Sequence, residues 1–105
     1  MALIIKATKD KTISISGTDL KLSEVYGRIE FVGRANGTTL EIATTTFVSR
    51  ATFEEGKPVF TDIPSGNINA TIEATEVQSL ETAHKYSKMA YEQEGYEVII
   101  DLNLI

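Results

Sequence analysis

The chain has 105 residues, enough for one domain with a real core, and its 42% apolar and 24% charged residues are ordinary for a globular protein. It has no cysteine, which excludes a disulfide framework, thiolate chemistry and cysteine-ligated zinc. Net charge is −5 and uneven: residues 1–50 carry seven Lys/Arg against five Asp/Glu, residues 51–105 three against ten. An acidic second half does not suit phosphate-backbone binding, so nucleic-acid recognition is not expected. The asymmetry would let unlike surfaces of neighbouring copies attract, or serve simply as a solvated face.

Thirteen Thr, twelve Ile and six Val favour strands. Residues 3–8 and 12–16 alternate, and a three-residue loop at Lys9-Asp10-Lys11 would pair Ala7 with Ile13 and Ile5 with Ile15. Lys6 interrupts the apolar opening, leaving it too short for a signal h-region or a membrane span. Gly17-Thr18-Asp19 is turn chemistry.

Glu24 to Ser49 predicts one long β-hairpin around Asn36-Gly37, a pair that suits a two-residue type I′ turn. Partners then have residue numbers summing to 73, placing Phe31 opposite Ile42 and Val25 opposite Val48 on one face. The other face carries most of the charges together with a Tyr26–Phe47 pair. A slip of one residue would turn the apolar set to water, so the register is well specified. Arms of about eleven residues exceed the usual strand of about six, so the tip from Arg34 to Thr39 is expected to project. Either a helix of the same chain or a neighbouring subunit must cover Tyr26 and Phe47.

Residues 52–58 read as a charged loop and Val59 to Ile63 as a short strand entered through Pro58, with a turn at Pro64-Ser65-Gly66-Asn67. A half-wet strand follows over 68–75. Thr75 and Gln78 match the T-x-x-Q capping box, and Gly95 suits a C′ position, so the spacing predicts one helix over 76–94. Its inner face reads Val77, Leu80, Ala83, Ser87 and Ala90. Residues 96–105 close the chain as a strand with a continuous apolar row. The sum is a single mainly β domain over residues 1–105, an antiparallel β-sandwich or partly closed barrel of about seven strands with the 76–94 helix packed on it. The β-α-β ending is compatible with a parallel crossover.

The chemistry is sparse. His84, the single histidine, has Glu81, Ser87 and Lys88 as helix neighbours, which form neither a catalytic nor a metal constellation, so a partly exposed helix histidine is expected. Glu54-Glu55 sits beside Gly56 and Glu92 and Glu94 flank a helix end, neither an environment that raises a carboxyl pKa. No glycine pattern builds a phosphate cradle. No enzyme activity, cofactor or metal is expected.

The chain opens Met1-Ala2-Leu3-Ile4-Ile5, continues with the strand Val25-Tyr26-Gly27-Arg28-Ile29-Glu30-Phe31 and has a Thr-rich return strand. The segment Ala51 to Pro58, a late helix with Tyr86 and Tyr91, and a closing strand follow. This layout resembles small structural proteins of tailed-bacteriophage virions at the neck, tail tube and tail hub, including phages of the crAss-like kind. The resemblance follows the order of elements along most of the chain and rests on no single specific motif. It implies a non-enzymatic subunit, made in a bacterial cytoplasm and carried in the virion, that joins its own copies and other neck or tail proteins in a ring or sleeve. The contacts would come from Tyr26, Arg34, Asn36, Phe47, Phe53, Glu54 and Glu55. The alternative is a monomeric β-sandwich module gripping a carbohydrate or peptide, which would need an exposed aromatic platform.

Overall fold

A computed structural model describes residues 1–63, 68–73 and 75–101. The described chain is mainly β: β1 (Ala2–Lys6), β2 (Ile13–Ser14), β3 (Lys21–Leu22), β4 (Glu24–Gly33), β5 (Thr39–Phe47), α1 (Arg50–Glu54), β6 (Ile68–Thr71), α2 (Leu80–Gln93) and β7 (Glu97–Asp101). Five strands form one antiparallel sheet in the order β6-β5-β4-β1-β7, curled into a half-barrel, with α2 packed chiefly against β7 and β4. The molecule measures 42 × 30 × 22 Å along its principal axes.

The β4–β5 ribbon has the register expected from its apolar alternation, from Tyr26 opposite Phe47 to Gly33 opposite Leu40, each pair summing to 73. Its turn differs. A type I′ turn needs positive φ at both central residues, and among the described residues only glycines adopt it, Gly37 at +78°. The loop instead spans residues 35–38, closed by the Arg34 N–H donating to Thr39 O (3.0 Å), with the Gly37 N–H donating to Arg34 O (3.1 Å). Widening the loop removes one residue from each arm, so the register survives.

The predicted hairpin of 3–8 with 12–16 does not form. β1 lies between β4 and β7, with Leu3 opposite Gly27 and Ile100. The Thr8 hydroxyl donates to Gly95 O (2.8 Å) and the Ala7 N–H to Ser23 O (2.9 Å), which draws the chain away before it can return along β1. β2 pairs with β3 instead, through the predicted turn at Gly17-Thr18-Asp19. Val59 to Ile63 makes no strand. It strings the large sheet to the small one through Val59 N–H to Thr46 O (2.9 Å), Ser16 N–H to Phe60 O (2.8 Å) and one bridge between Ile15 and Thr61.

α2 begins at Leu80, four residues later than expected. Its N-cap is Ser79, whose hydroxyl accepts from the Thr82 N–H, while Gln78 is drawn off to the hairpin tip. Gly95, at φ +107°, ends it as expected. The buried face is Ala83, His84, Ser87 and Tyr91; Val77 and Leu80 are exposed, so the helix is rotated from the predicted stripe. Small side chains at Ala83 and Ser87 allow a close approach, and Tyr91 fills the concave sheet against Tyr96, ring centroids 6.4 Å apart. β6 and β7 run in the same direction but on opposite edges of the sheet, so no adjacent parallel pair results. The main core joins Leu3, Ile5, Val25, Ile29, Leu40, Ile42 and Val98 to this helix. The turn expected at Pro64 to Asn67, the Ala74 end of the 68–75 strand and the Leu102–Ile105 end of the closing row lie outside the described residues.

Candidate functional site

The seven residues expected to make contacts fall at the two ends of the long hairpin. At the base, Ser49 starts α1 with a reciprocal capping box: its hydroxyl accepts from the Thr52 N–H (3.3 Å) while the Thr52 hydroxyl accepts from the Ser49 N–H (3.0 Å). This one-and-a-half-turn helix replaces part of the predicted 52–58 loop. It carries Phe53 back over the outer face of the sheet, 5.1 Å from the Phe47 ring edge-on and 5.7 Å from Tyr26. The Arg28 guanidinium covers Phe53 at 4.5 Å, and its Nη1 donates to Met1 O at 3.0 Å.

Tyr26 and Phe47 are therefore only 5% and 7% exposed within the single chain. Of the two covers considered for this pair, a helix of the same chain is the one present. That corrects the expectation that Tyr26 and Phe47 would offer a subunit contact, because their apolar area is already spent under Phe53 and beside Ala2. Glu54 and Glu55 remain exposed on the outer side of α1, facing Arg50 (3.4 Å) and Lys57 (3.2 Å).

At the tip, Arg34 and Asn36 are exposed. Asn36 holds the loop's shape: its Oδ1 accepts from the Thr38 N–H (3.0 Å) and its Nδ2 donates to the Thr39 hydroxyl (3.1 Å). Arg34 pairs with Glu41 across the strands. The tip does not hang free. The Ile72 N–H donates to Thr38 O (2.8 Å), and the Gln78 side chain donates to Arg34 O (2.8 Å) and Thr39 O (3.3 Å). Gly33 makes room for that amide; a Cβ there would sit 2.6 Å from Gln78 Oε1. Beside this braced loop Val32 is 61% exposed, above a shallow groove with Glu30, Phe31, Glu41 and Ala43. Gln78 matches a helix-capping pattern in the sequence, and no sequence signal marks it as the brace, since its target lies 44 residues away.

Just before α2, Glu76 accepts from Lys85 (2.9 Å), from the Tyr86 hydroxyl and from the Glu73 N–H (3.0 Å). These donors hold its carboxyl down at about 2, the Lys85 bond contributing most.

His84 is buried, 1% exposed, rather than partly exposed as expected. Its Nδ1 lies 2.6 Å from Leu80 O, and burial pushes its pKa below the usual imidazole value. It faces no carboxylate–nucleophile pair. Glu92 and Glu94 are exposed at the end of α2. Among the described residues no three His, Asp or Glu side chains gather as metal ligands, and no helix is long and apolar enough to cross a membrane. No protein-family model matches this sequence, no curated protein matches it, and no solved structure matches its fold.

Proposed function

We propose that this chain is a non-enzymatic structural subunit of a tailed-bacteriophage virion, assembling with its own copies and with other neck or tail proteins into a ring or sleeve. The observation that carries the reading is the hairpin tip. Its strands of ten and nine residues end in a loop that is exposed yet held rigid by Asn36, Ile72 and Gln78. A preformed, exposed loop loses little entropy when a neighbour docks on it, which suits a repeated contact within a closed symmetry. Contacts come from Val32, Arg34 and Asn36, with Glu54 and Glu55 as a second, acidic patch; Tyr26 and Phe47 support the ribbon from beneath Phe53.

Sedimentation velocity and electron microscopy across a wide concentration range, with and without the neck and tail proteins of the same virion, test the reading. Ring or tube species that revert to monomer in a Val32→Lys, Arg34→Glu variant are expected. A chain that stays monomeric in every mixture sinks it.

A second reading, a carbohydrate-binding module, draws on Phe60, which is 78% exposed at a groove of about 210 Å³ beside Thr45, Pro58 and Thr61. Hits on a glycan array that vanish in Phe60→Ala would favour it; a blank array removes it.

A further inference from the structure

The two sides of β4 are not equally filled. The Arg34 N–H donates to Thr39 O, so the even-numbered residues of β4 turn their backbone groups to β5 and the odd-numbered ones to the opposite side. There β1 receives them: the Ala7 N–H donates to Ser23 O, and the pairing runs on through Ile5–Val25 to Leu3–Gly27. β1 starts at Ala2, and continuing its register sets Met1 beside Ile29. Among the described residues no strand lies along β4 beyond that point, so the N–H and C=O groups of Phe31 and Gly33 face outward without a ladder. Phe31 is half-buried, Val32 and Gly33 are exposed. Gln78 does not fill this edge. It sits where a Gly33 Cβ would point, over the concave face, and spends its amide N–H groups on Arg34 O and Thr39 O.

An open edge is a template for another strand, and the side chains beside it select which one. On the outer face Glu30, Val32 and Arg34 follow one another along β4 and its first loop residue. Glu30 has no ion pair among the described residues, and Arg34, though engaged by Glu41, has more donors than that one carboxylate uses.

We propose that this edge pairs with the same edge of a second copy of the chain, antiparallel about a two-fold axis at Val32. In that register Phe31 and Gly33 exchange backbone hydrogen bonds with the partner's Gly33 and Phe31, so the open groups of both residues are met. Val32 lies against the partner's Val32, and Glu30 against the partner's Arg34, with the mirror pair completing it. Phe31 faces the partner's Gly33, which leaves room for the ring. Parallel pairing would instead set Glu30 beside Glu30 and Arg34 beside Arg34. Moving the axis to Phe31 would drive the partner's Gly33 into Met1's place and the partner's Arg34 against Arg28. The inference rests on the reading of the hairpin tip as a self-contact and gives it a geometry. A two-fold contact closes at two copies, so growth into a ring falls to the Glu54-Glu55 patch. One short strand pair is a weak contact, to be read at high protein concentration.

The test uses the full chain alone. Glu30→Arg and Arg34→Glu should each weaken self-association about tenfold in sedimentation, and mixing the two should restore it, because each like-charge clash then becomes an opposite pair. The chain has no cysteine, so Val32→Cys reports the register cleanly. Directly opposite residues of this kind have Cα atoms about 4.5 Å apart, within the disulfide range of about 4.4–6.8 Å. Val32→Cys should crosslink on oxidation, and Glu30→Cys should not. In the wild type the Phe31 and Gly33 amides should exchange more slowly as concentration rises, a readout that needs no variant to fold. Mixed charge variants that stay apart, or a Val32→Cys chain that crosslinks no faster than Glu30→Cys, overturn the proposal. Self-association that leaves the Phe31 and Gly33 amides unprotected also overturns it, while keeping the tip as a contact through side chains alone. Assembly with neck and tail proteins is read separately, so its failure is not mistaken for failure of the strand pair.

Discussion

The base of the long hairpin is closed by three aromatic rings, Tyr26, Phe47 and Phe53, with Arg28 over the last of them, whereas its tip is closed by a few hydrogen bonds involving Asn36, Ile72 and Gln78. The base is thus held mainly by buried area, a non-directional force. The tip is held by directed polar bonds, each worth little alone but jointly fixing one loop geometry. One ribbon therefore has an end built for stability and an end built for shape. At the base the aromatic surface is closed and only the rim carboxylates Glu54 and Glu55 face outward, whereas the tip presents the loop itself to a neighbour.

Removing the ring that caps the base should have the largest effect. Phe53→Ala is expected to cost about 2–3 kcal/mol in chemical denaturation, below the roughly 3–5 of a fully buried phenylalanine because Phe53 keeps some exposure. It should also newly expose Tyr26 and Phe47, read as dye binding, and a loss under 1 kcal/mol would show that the aromatic cluster does not hold the base (about the size of one net hydrogen bond).

The next effect belongs to the body that both ends share. Burial depresses His84, so the unfolded chain takes up a proton before the folded one does. The stability from neutral His84 is complete above the free-imidazole value of 6.5 and is lost as pH falls toward His84's own, lower value. Denaturation midpoints measured across that range should fall with acid in the wild type and fall less in His84→Phe.

Gln78→Ala should cost about 1 kcal/mol and act locally. Hydrogen exchange should quicken at the Arg34 and Gly37 amides and stay unchanged at Tyr26 and Phe47; equal quickening at both ends would erase the distinction between them. Glu76 anchors the segment that delivers Gln78, and its carboxyl is held at about 2. Its contribution is complete above the ordinary value of 4.5 and is lost as pH falls through about 2. Carbon-13 titration of the Glu76 carboxyl should show that low midpoint, and Lys85→Met should move it up. The smallest effect is expected for the exposed Arg34–Glu41 pair, where a double-mutant cycle should give about 0.5 kcal/mol or less, vanishing at high salt.

Much of the frame was legible. The ribbon register could be read because two long alternating stretches have only one alignment that keeps their apolar sides together. The end of α2 could be read because Gly95 takes a backbone conformation that other residues avoid. The candidate contacts were legible by type but not by role. Arg34 and Asn36 sit at the exposed tip as expected, while Tyr26 and Phe47 are covered on the outer face by Phe53. No periodicity announces a five-residue helix like α1, and its cap, Ser49, falls in sequence at the end of the alternating strand.

What the amino-acid order determined by itself is local: β content, the hairpin's pairing, a late helix and the glycine that stops it. These follow from spacings of two or four residues and from backbone preferences that act within a few bonds. Only the tertiary structure decided which strand β1 would join, how α2 would be rotated, and that Gln78 would brace the tip rather than cap a helix. An alternating apolar strand fits any apolar neighbour, and a glutamine amide bonds whichever carbonyl the fold brings within reach. Those choices rest on contacts between residues tens of positions apart, where packing the whole core outweighs any local signal.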